Sequence, residues 1–211
     1  MVSRAVQQAL DRRLSSQQEA ARSEVERILA AALVVMERAY PQSARVVDIV
    51  AEAETSNQTF YKYFPGKAEL ALAVMERGVG RLADYLEHQM GKARSPAGRV
   101  ERWVVGMLAQ VDDATAVRGS LAALAELDRS RLDRPSADDT SAIRRATVTP
   151  LRDLLLEPLA AAGAPDPARS ADAIYEATIG TVRRHLFAAA SPTPSDRRHL
   201  VRFCRAGAGI S

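Results

Sequence analysis

The first strongly periodic segment of the chain lies close to its N-terminus. Apolar residues recur there at spacings of three and four, at Val25, Ile28, Leu29, Ala32, Leu33 and Met36. This spacing predicts one apolar face on a helix over residues 22–39. The helix is expected to end at Tyr40, because a residue that precedes proline is disfavoured in helical backbone angles.

Helical periodicity continues through the rest of the chain. The breaks between the periodic segments carry Pro, Gly, Ser or Asp, which favour turns. No segment alternates apolar and polar residues between hairpin dipeptides, and this argues against a sheet. We therefore expect an all-α fold whose further helices cover residues 46–53, 56–64, 67–90, 98–111, 117–129, 140–162, 167–190 and 195–206.

The two short helices predicted within residues 45–67 have the layout of a helix-turn-helix. In that motif the second helix lies in the major groove of DNA, with its N-terminal side chains at the base edges. The positions expected to face inward are apolar: Ile49, Val50, Ala53, Phe60 and Phe64. The positions expected to face outward on the second helix carry no carboxylate: Ser56, Asn57, Gln58, Thr59, Tyr61, Lys62 and Tyr63. Amide, hydroxyl and ammonium groups of this kind bind base edges and phosphates, so this helix is predicted to face DNA.

The same residues carry a family resemblance. The run from Asp48 to Ala53, followed by the run from Ser56 to Leu70 with its Thr-Phe-Tyr-Lys-Tyr-Phe-Pro-Gly-Lys core, resembles the N-terminal signature of the TetR family of bacterial transcriptional regulators. The resemblance covers about residues 22–75. It implies a homodimeric repressor with three N-terminal DNA-binding helices and a larger helical domain for ligand and dimer contacts. The implied division is an extension over 1–21, a helix-turn-helix domain over 22–67, and a ligand-binding and dimerisation domain over 68–211.

The resemblance also assigns roles to individual positions. It places the recognition helix on DNA through Asn57, Gln58, Thr59, Tyr61, Lys62 and Tyr63. It puts Lys67, at the start of the next helix, and Arg45, ahead of the first short helix, on phosphates. Two positions depart from the family pattern, since Glu54 stands where a glycine is usual in the turn and Val50 where an alanine is usual. Glu54 must then adopt a left-handed backbone conformation, or the turn is built differently.

Charge adds a modest argument for an anionic partner. The 211 residues carry a formal charge of +3, which is low for a domain held to nucleic acid by charge alone. The first 22 residues contain four arginines: Arg4, Arg12, Arg13 and Arg22. They suit an arm that touches DNA or a frayed, partly helical extension, and the sequence leaves both interpretations open.

Several classes of protein are disfavoured by composition. A single cysteine, Cys204, and three dispersed histidines give no metal-ligand spacing, so neither a metal nor another cofactor is expected. No apolar run approaches the roughly 20 residues of a membrane span, and the N-terminus lacks the apolar block of a secretory signal. We expect a cytoplasmic protein without a membrane partner.

Two sets of residues in the C-terminal half are candidates for ligand and dimer contacts. Pockets between helices are mostly apolar with a few polar anchors, which makes candidates of Tyr85, Trp103, Met107 and Tyr175; an ordinary core role is the alternative. A second set recurs at spacings of three and four in the last long helix: Ile174, Ala177, Thr178, Thr181, Val182 and His185. This face is predicted to pack, together with the helix over 195–206, against the same pair in a second chain; the alternative is burial against its own domain.

The leading hypothesis is a DNA-binding transcriptional regulator, a repressor that a small-molecule effector releases from a palindromic operator. The alternative is a helical interaction protein whose helix-turn-helix no longer binds DNA, which Glu54 and the near-neutral N-terminal half favour. An all-α enzyme lacks any supporting motif.

Overall fold

The computed structural model of the chain describes residues 4–112, 114–132, 146, 148–188 and 190–210. All regular secondary structure in these ranges is helical, which confirms the predicted all-α class. The helices with defined bounds are α1 (Arg4–Ala39), α2 (Val46–Glu52), α3 (Asn57–Tyr63), α4 (Lys67–Gly91), α5 (Pro96–Ala109), α6 (Ala114–Leu132), α7 (Leu156–Ala161), α8 (Pro167–Ala188) and α9 (Pro194–Gly207). No helix among these is long and apolar enough to cross a membrane.

The chain forms two compact units. The first comprises Met1–Val74 together with Ala122–Ser130, and the second comprises Met75–Leu121 and Arg131–Ser211. Two helices, α4 and α6, therefore each contribute residues to both units. No sequence pattern indicated that the later part of α6 joins the N-terminal unit.

Each unit has its own apolar core. In the first, the fully buried side chains include Ile28 of α1, Ile49 of α2 and Phe60 of α3. In the second, α5 packs against α7, α8 and α9, and Trp103 lies at the centre with no exposed surface. Its indole nitrogen donates a hydrogen bond to the carbonyl oxygen of Leu151 at 2.8 Å. Burial of one such large apolar side chain contributes roughly 1.5–3 kcal/mol to stability.

Two helices differ by more than a turn from their predicted extent. Helix α1 begins at Arg4 rather than at residue 22, because residues 4–21 contain no Gly or Pro and are rich in Ala, Gln, Arg and Leu, which favour helix. The helix predicted over 140–162 is interrupted at residues 154 and 155. Pro158 explains the interruption, since proline cannot donate to the carbonyl of Leu154 and its ring clashes with that turn. Residues 140–145 and 147 of that prediction lie outside the described residues.

Candidate nucleic-acid interface

The turn between α2 and α3 is tight and depends on one residue with a left-handed backbone. Glu54 has φ of 49°, so of the two alternatives drawn from the sequence it adopts the left-handed conformation. The amide of Glu54 donates to the carbonyl of Ala51, and that of Thr55 donates to the carbonyl of Val50, both at 3.1 Å. A side chain larger than glycine is strained at this φ, so the turn keeps the glycine-type geometry at an energetic cost.

Ser56 starts the second short helix as the sequence predicts. Its backbone is extended, and its side-chain oxygen accepts a hydrogen bond from the amide of Thr59 at 3.0 Å. This N-cap satisfies one of the amides that the first helical turn leaves without a partner. The cap fixes the position at which α3 begins and therefore fixes which of its side chains point outward.

The inward-facing side chains of α2 and α3 are those predicted. Ile49, Val50, Ala53, Phe60 and Phe64 are all buried. The rings of Phe60 and Phe64 lie 5.9 Å apart between centroids, and Tyr61 meets Phe60 edge-on at 5.2 Å. The bulkier Val50 is accommodated within this core, so its departure from the family pattern does not disturb the motif.

The outward face of α3 is open to solvent. Asn57, Gln58, Tyr61 and Lys62 are exposed, with Tyr61 showing 55% of its surface. No carboxylate occurs on this helix. A surface of amide, phenol and ammonium groups without negative charge is suited to the floor and walls of the DNA major groove.

Tyr63 is half-buried because its hydroxyl has a partner on α1. It donates a hydrogen bond to Oε2 of Glu24 at 2.9 Å. The ammonium of Lys62 lies 4.9 Å from the centroid of the Tyr63 ring. The hydrogen bond between Tyr63 and Glu24 attaches the end of α3 to α1. Glu24 had no role in the sequence analysis, since its partner lies 39 positions away.

Arg45 lies at the N-cap of α2 with an exposed side chain. Its guanidinium donates two hydrogen bonds to the carboxylate of Asp48, both at 2.8 Å. These bonds lower the pKa of Asp48 and raise the pKa of Arg45 from their ordinary values. An ion pair so open to water stabilises little, so a DNA phosphate can replace Asp48 as the partner.

Lys67, at the first position of α4, is held more firmly. Its ammonium donates to Oγ of Ser43 at 2.7 Å and to the carbonyl of Ala44 at 3.4 Å, and it lies 3.4 Å from Oε1 of Glu126. Neither Ser43 nor Glu126 was singled out from the sequence. A lone acid on an amphipathic helix, 83 positions from Ser43, carries no signal of such a contact.

The candidate ligand residues lie in the second unit. Trp103 and Met107 are core residues with exposures of 0% and 2%. Tyr175 is half-buried, with its ring centroid 6.3 Å from that of Trp103, whereas Tyr85 is 37% exposed. Their binding of a ligand stays a prediction.

The candidate dimer residues divide between two faces of α8. Ile174, Thr178 and Val182 have exposures of 3%, 0% and 7% and belong to the interior of their own unit. These three side chains pack inside their own unit, where α8 contacts α5 and its neighbours, and their part in a dimer stays a prediction. Ala177, Thr181 and His185 are half-exposed.

Two aromatic side chains on the last two helices, α8 and α9, are exposed. Phe187 on α8 has 76% of its surface exposed and Phe203 on α9 has 61%. Phe203 belongs to the apolar side of the helix predicted to pack in the dimer, whereas Phe187 was not singled out from the sequence. Cys204 on α9 is buried, and burial raises the pKa of its thiol to about 11.

No group of three or more His, Cys, Asp or Glu side chains able to hold a metal ion occurs among the residues that the structure describes.

Comparison with known proteins gives a family match and a set of similar folds. Residues 28–74 match the family described as bacterial regulatory proteins, tetR family. No curated protein matches the chain. The fatty acid degradation regulator FadR from Bacillus halodurans superposes with a TM-score of 0.64 at 18% identity, over 86% of this chain and 95% of that one.

Two further structures are similar to the same extent. The transcriptional regulator FadR from Bacillus subtilis, in complex with stearoyl-CoA, gives a TM-score of 0.66 at 14% identity, over 86% of this chain and 98% of that one. Reduced NemR from E. coli gives 0.65 at 15% identity, over 87% and 96%. At such identities the likeness establishes a shared fold across almost the whole length of each protein.

Proposed function

We propose that this chain, a DNA-binding transcriptional regulator with the N-terminal domain of the tetR family, acts as a homodimeric repressor. Each protomer places α3 in the major groove of one half of a palindromic operator. A small-molecule effector bound by the second unit releases the operator. The observation that carries the proposal is the exposed, carboxylate-free face of α3, fixed by the Ser56 cap and the Glu54 turn.

The residues of the first unit divide into two roles under this proposal. Asn57 and Gln58, exposed in the first turn of α3, contact base edges, since amides pair with the N6 and N7 edge of adenine. The remaining contacts are proposed to hold sugar and phosphate and to set the register: Arg45, Ser56, Thr59, Tyr61, Lys62, Tyr63 and Lys67. Arg45 exchanges Asp48 for a phosphate when DNA binds.

The proposed dimer uses the outer faces of α8 and α9. The half-exposed Ala177, Thr181 and His185 lie on α8, and the exposed rings of Phe187 and Phe203 supply apolar area. Two copies related by a two-fold axis make such a surface self-complementary. Two recognition helices on one face of DNA then read half-sites about 34 Å apart, one turn of the duplex.

The effector is proposed to bind among Tyr85, Trp103, Met107 and Tyr175 of the second unit. The FadR structure from Bacillus subtilis contains stearoyl-CoA, which supports for this chain only the general idea that a small molecule is the effector. A ligand changes operator affinity only to the extent that it binds the two states of the protein differently. No enzymatic step is part of the proposal.

A salt experiment distinguishes DNA binding from the alternative function, in which the helix-turn-helix serves a protein partner. A duplex pool is passed over the immobilised protein at low salt and eluted with increasing salt. We expect retention followed by steep loss, because each neutralised phosphate contributes about 0.9 to the slope of log affinity against log salt. A folded protein that retains no duplex at low salt would favour the alternative.

A further inference from the structure

The ionic cluster beneath the start of α4 joins distant parts of the sequence. Glu126 of α6 has only 3% of its side chain exposed, and it accepts a hydrogen bond from Oγ of Ser43 at 2.8 Å. Its other oxygen lies 2.8 Å from Nη1 of Arg129, while Lys67 lies 3.4 Å from the first. We name Ser43, Lys67, Glu126 and Arg129 the Glu126 cluster.

The cluster holds several segments of the first unit together. Arg129 also donates to the carbonyl of Pro41, in the loop between α1 and α2. Lys67 begins α4, and Ser43 lies two positions before Arg45, the N-cap of α2. A buried carboxylate is retained only where partners compensate its lost hydration, so these groups define one arrangement of the loop, α4 and α6.

Three oxygens lie close to the Lys67 ammonium. That of Ser43 accepts a hydrogen bond at 2.7 Å, and the carbonyl of Ala44 and the carboxylate of Glu126 lie at the longer distance of 3.4 Å. A lysine ammonium has three donors and no acceptor. A DNA phosphate that approaches Lys67 therefore competes with these oxygens, and the two longer contacts are the ones most readily replaced.

The side chain of Lys67 is nevertheless 39% exposed, so an anion from solvent can reach it. Glu126 and a phosphate are both anionic oxygen acceptors. Each attracts the Lys67 ammonium more strongly the closer it lies, so the two compete for it. Arg129 already pairs with Glu126, which means that one carboxylate balances two cations in the cluster.

Resting on the proposed DNA-binding function, we propose that Glu126 is a positioning residue that competes with DNA phosphate for Lys67 and thereby sets the affinity for DNA. Glu126 does not touch DNA and acts through Lys67. Because α6 is one continuous helix from residue 114 in the second unit to residue 132, the competing carboxylate is borne by a helix that also belongs to the unit proposed to hold the effector.

The test is the substitution Glu126→Gln, which keeps the shape and a hydrogen-bond acceptor but removes the charge. Affinity is measured across a range of salt concentrations for a duplex selected by the wild-type protein from a random pool. We expect Glu126→Gln to bind about fivefold more tightly at low salt, the lower end of typical coupling between sites. The dependence of log affinity on log salt is expected to steepen by about one phosphate contact.

Two matched variants separate this effect from general electrostatics and from damage to the fold. Asp128→Asn removes one negative charge from an exposed position on the same helix and is expected to change the affinity less. In a Lys67→Met background, Glu126→Gln is expected to give no increase. Thermal unfolding of every variant shows that the first unit remains folded.

Should Glu126→Gln not fold, Glu126→Asp gives a second test, because the shorter side chain keeps the charge but withdraws the carboxylate from Lys67. It is expected to increase affinity in the wild-type background and not in Lys67→Met. The proposal is overturned if folded Glu126→Gln, or Glu126→Asp in its place, binds no more tightly than Asp128→Asn, or if the gain persists without Lys67. A wild-type protein that selects no duplex at all would instead contradict the proposed function.

Discussion

The α2–turn–α3 segment and the α8–α9 pair are both amphipathic, yet only the first has its outward face defined by its own sequence. In α3 the cap at Ser56 and the buried rings of Phe60 and Phe64 leave one side for the polar residues. In α8 apolar and small residues surround most of the helix, and the core of the second unit takes Ile174, Thr178 and Val182. Periodicity therefore identifies the buried face of a helix only where the other faces are clearly polar.

The largest expected effect separates the inner face of α8 from its outer face. Val182→Asp places a charge in the core of the second unit and is expected to lower the free energy of unfolding by more than about 3 kcal/mol. Arg183→Asp changes the exposed neighbour and is the control, with little expected loss. Thermal unfolding followed by circular dichroism measures both. A Val182→Asp protein with wild-type stability that becomes monomeric would restore the face predicted from the sequence.

The next effect tests the proposed dimer surface. Phe203→Glu is expected to give a folded monomer in light scattering, because a charge in each of two symmetric copies would lose its hydration in the interface. Operator affinity is expected to fall at least about a hundredfold, since half-sites are no longer read together. Phe203→Leu keeps an apolar side chain and is expected to remain dimeric. A wild-type chain that is monomeric at the working concentration would refute the two-half-site arrangement.

Substitutions on α3 change DNA recognition without affecting the fold. Asn57→Ala and Gln58→Ala are each expected to reduce discrimination between the selected duplex and random DNA by about 1–3 kcal/mol. Lys62→Ala is expected to weaken both duplexes alike and to lower the salt slope by about one. Competition binding measures each quantity. Unchanged discrimination in both amide variants would mean that α3 does not present these residues to bases.

The smallest expected effect concerns the turn. Glu54→Gly is expected to stabilise the protein by about 0.5–1 kcal/mol, because glycine adopts the φ of 49° without side-chain strain. Glu54→Ala removes the carboxylate but keeps the strain, so its stability is expected to stay near that of the wild type. Melting temperatures compare the three proteins. A loss of stability in Glu54→Gly would show that the glutamate side chain stabilises the turn.

Local chemistry explains what could be predicted from the sequence. The Ser56 cap, the inward rings of α3 and the end of α1 before Pro41 each depend on residues a few positions apart. The break before α7 depends on Pro158. This proline lies within a strongly apolar run, whose periodicity alone predicts an unbroken helix. The contacts of Lys67 with Glu126, and of Tyr63 with Glu24, join residues 59 and 39 positions apart, and no spacing rule specifies such pairs.

A footprint on the duplex that the wild-type protein selects tests most directly whether α3 reads the operator. We expect two protected half-sites related by a two-fold axis, with centres about 34 Å apart and protection of purine edges in the major groove. Protection at both half-sites is expected to weaken in Gln58→Ala. A single protected site, protection confined to the minor groove, or a footprint unaltered by Gln58→Ala would contradict the claim that α3 reads the operator.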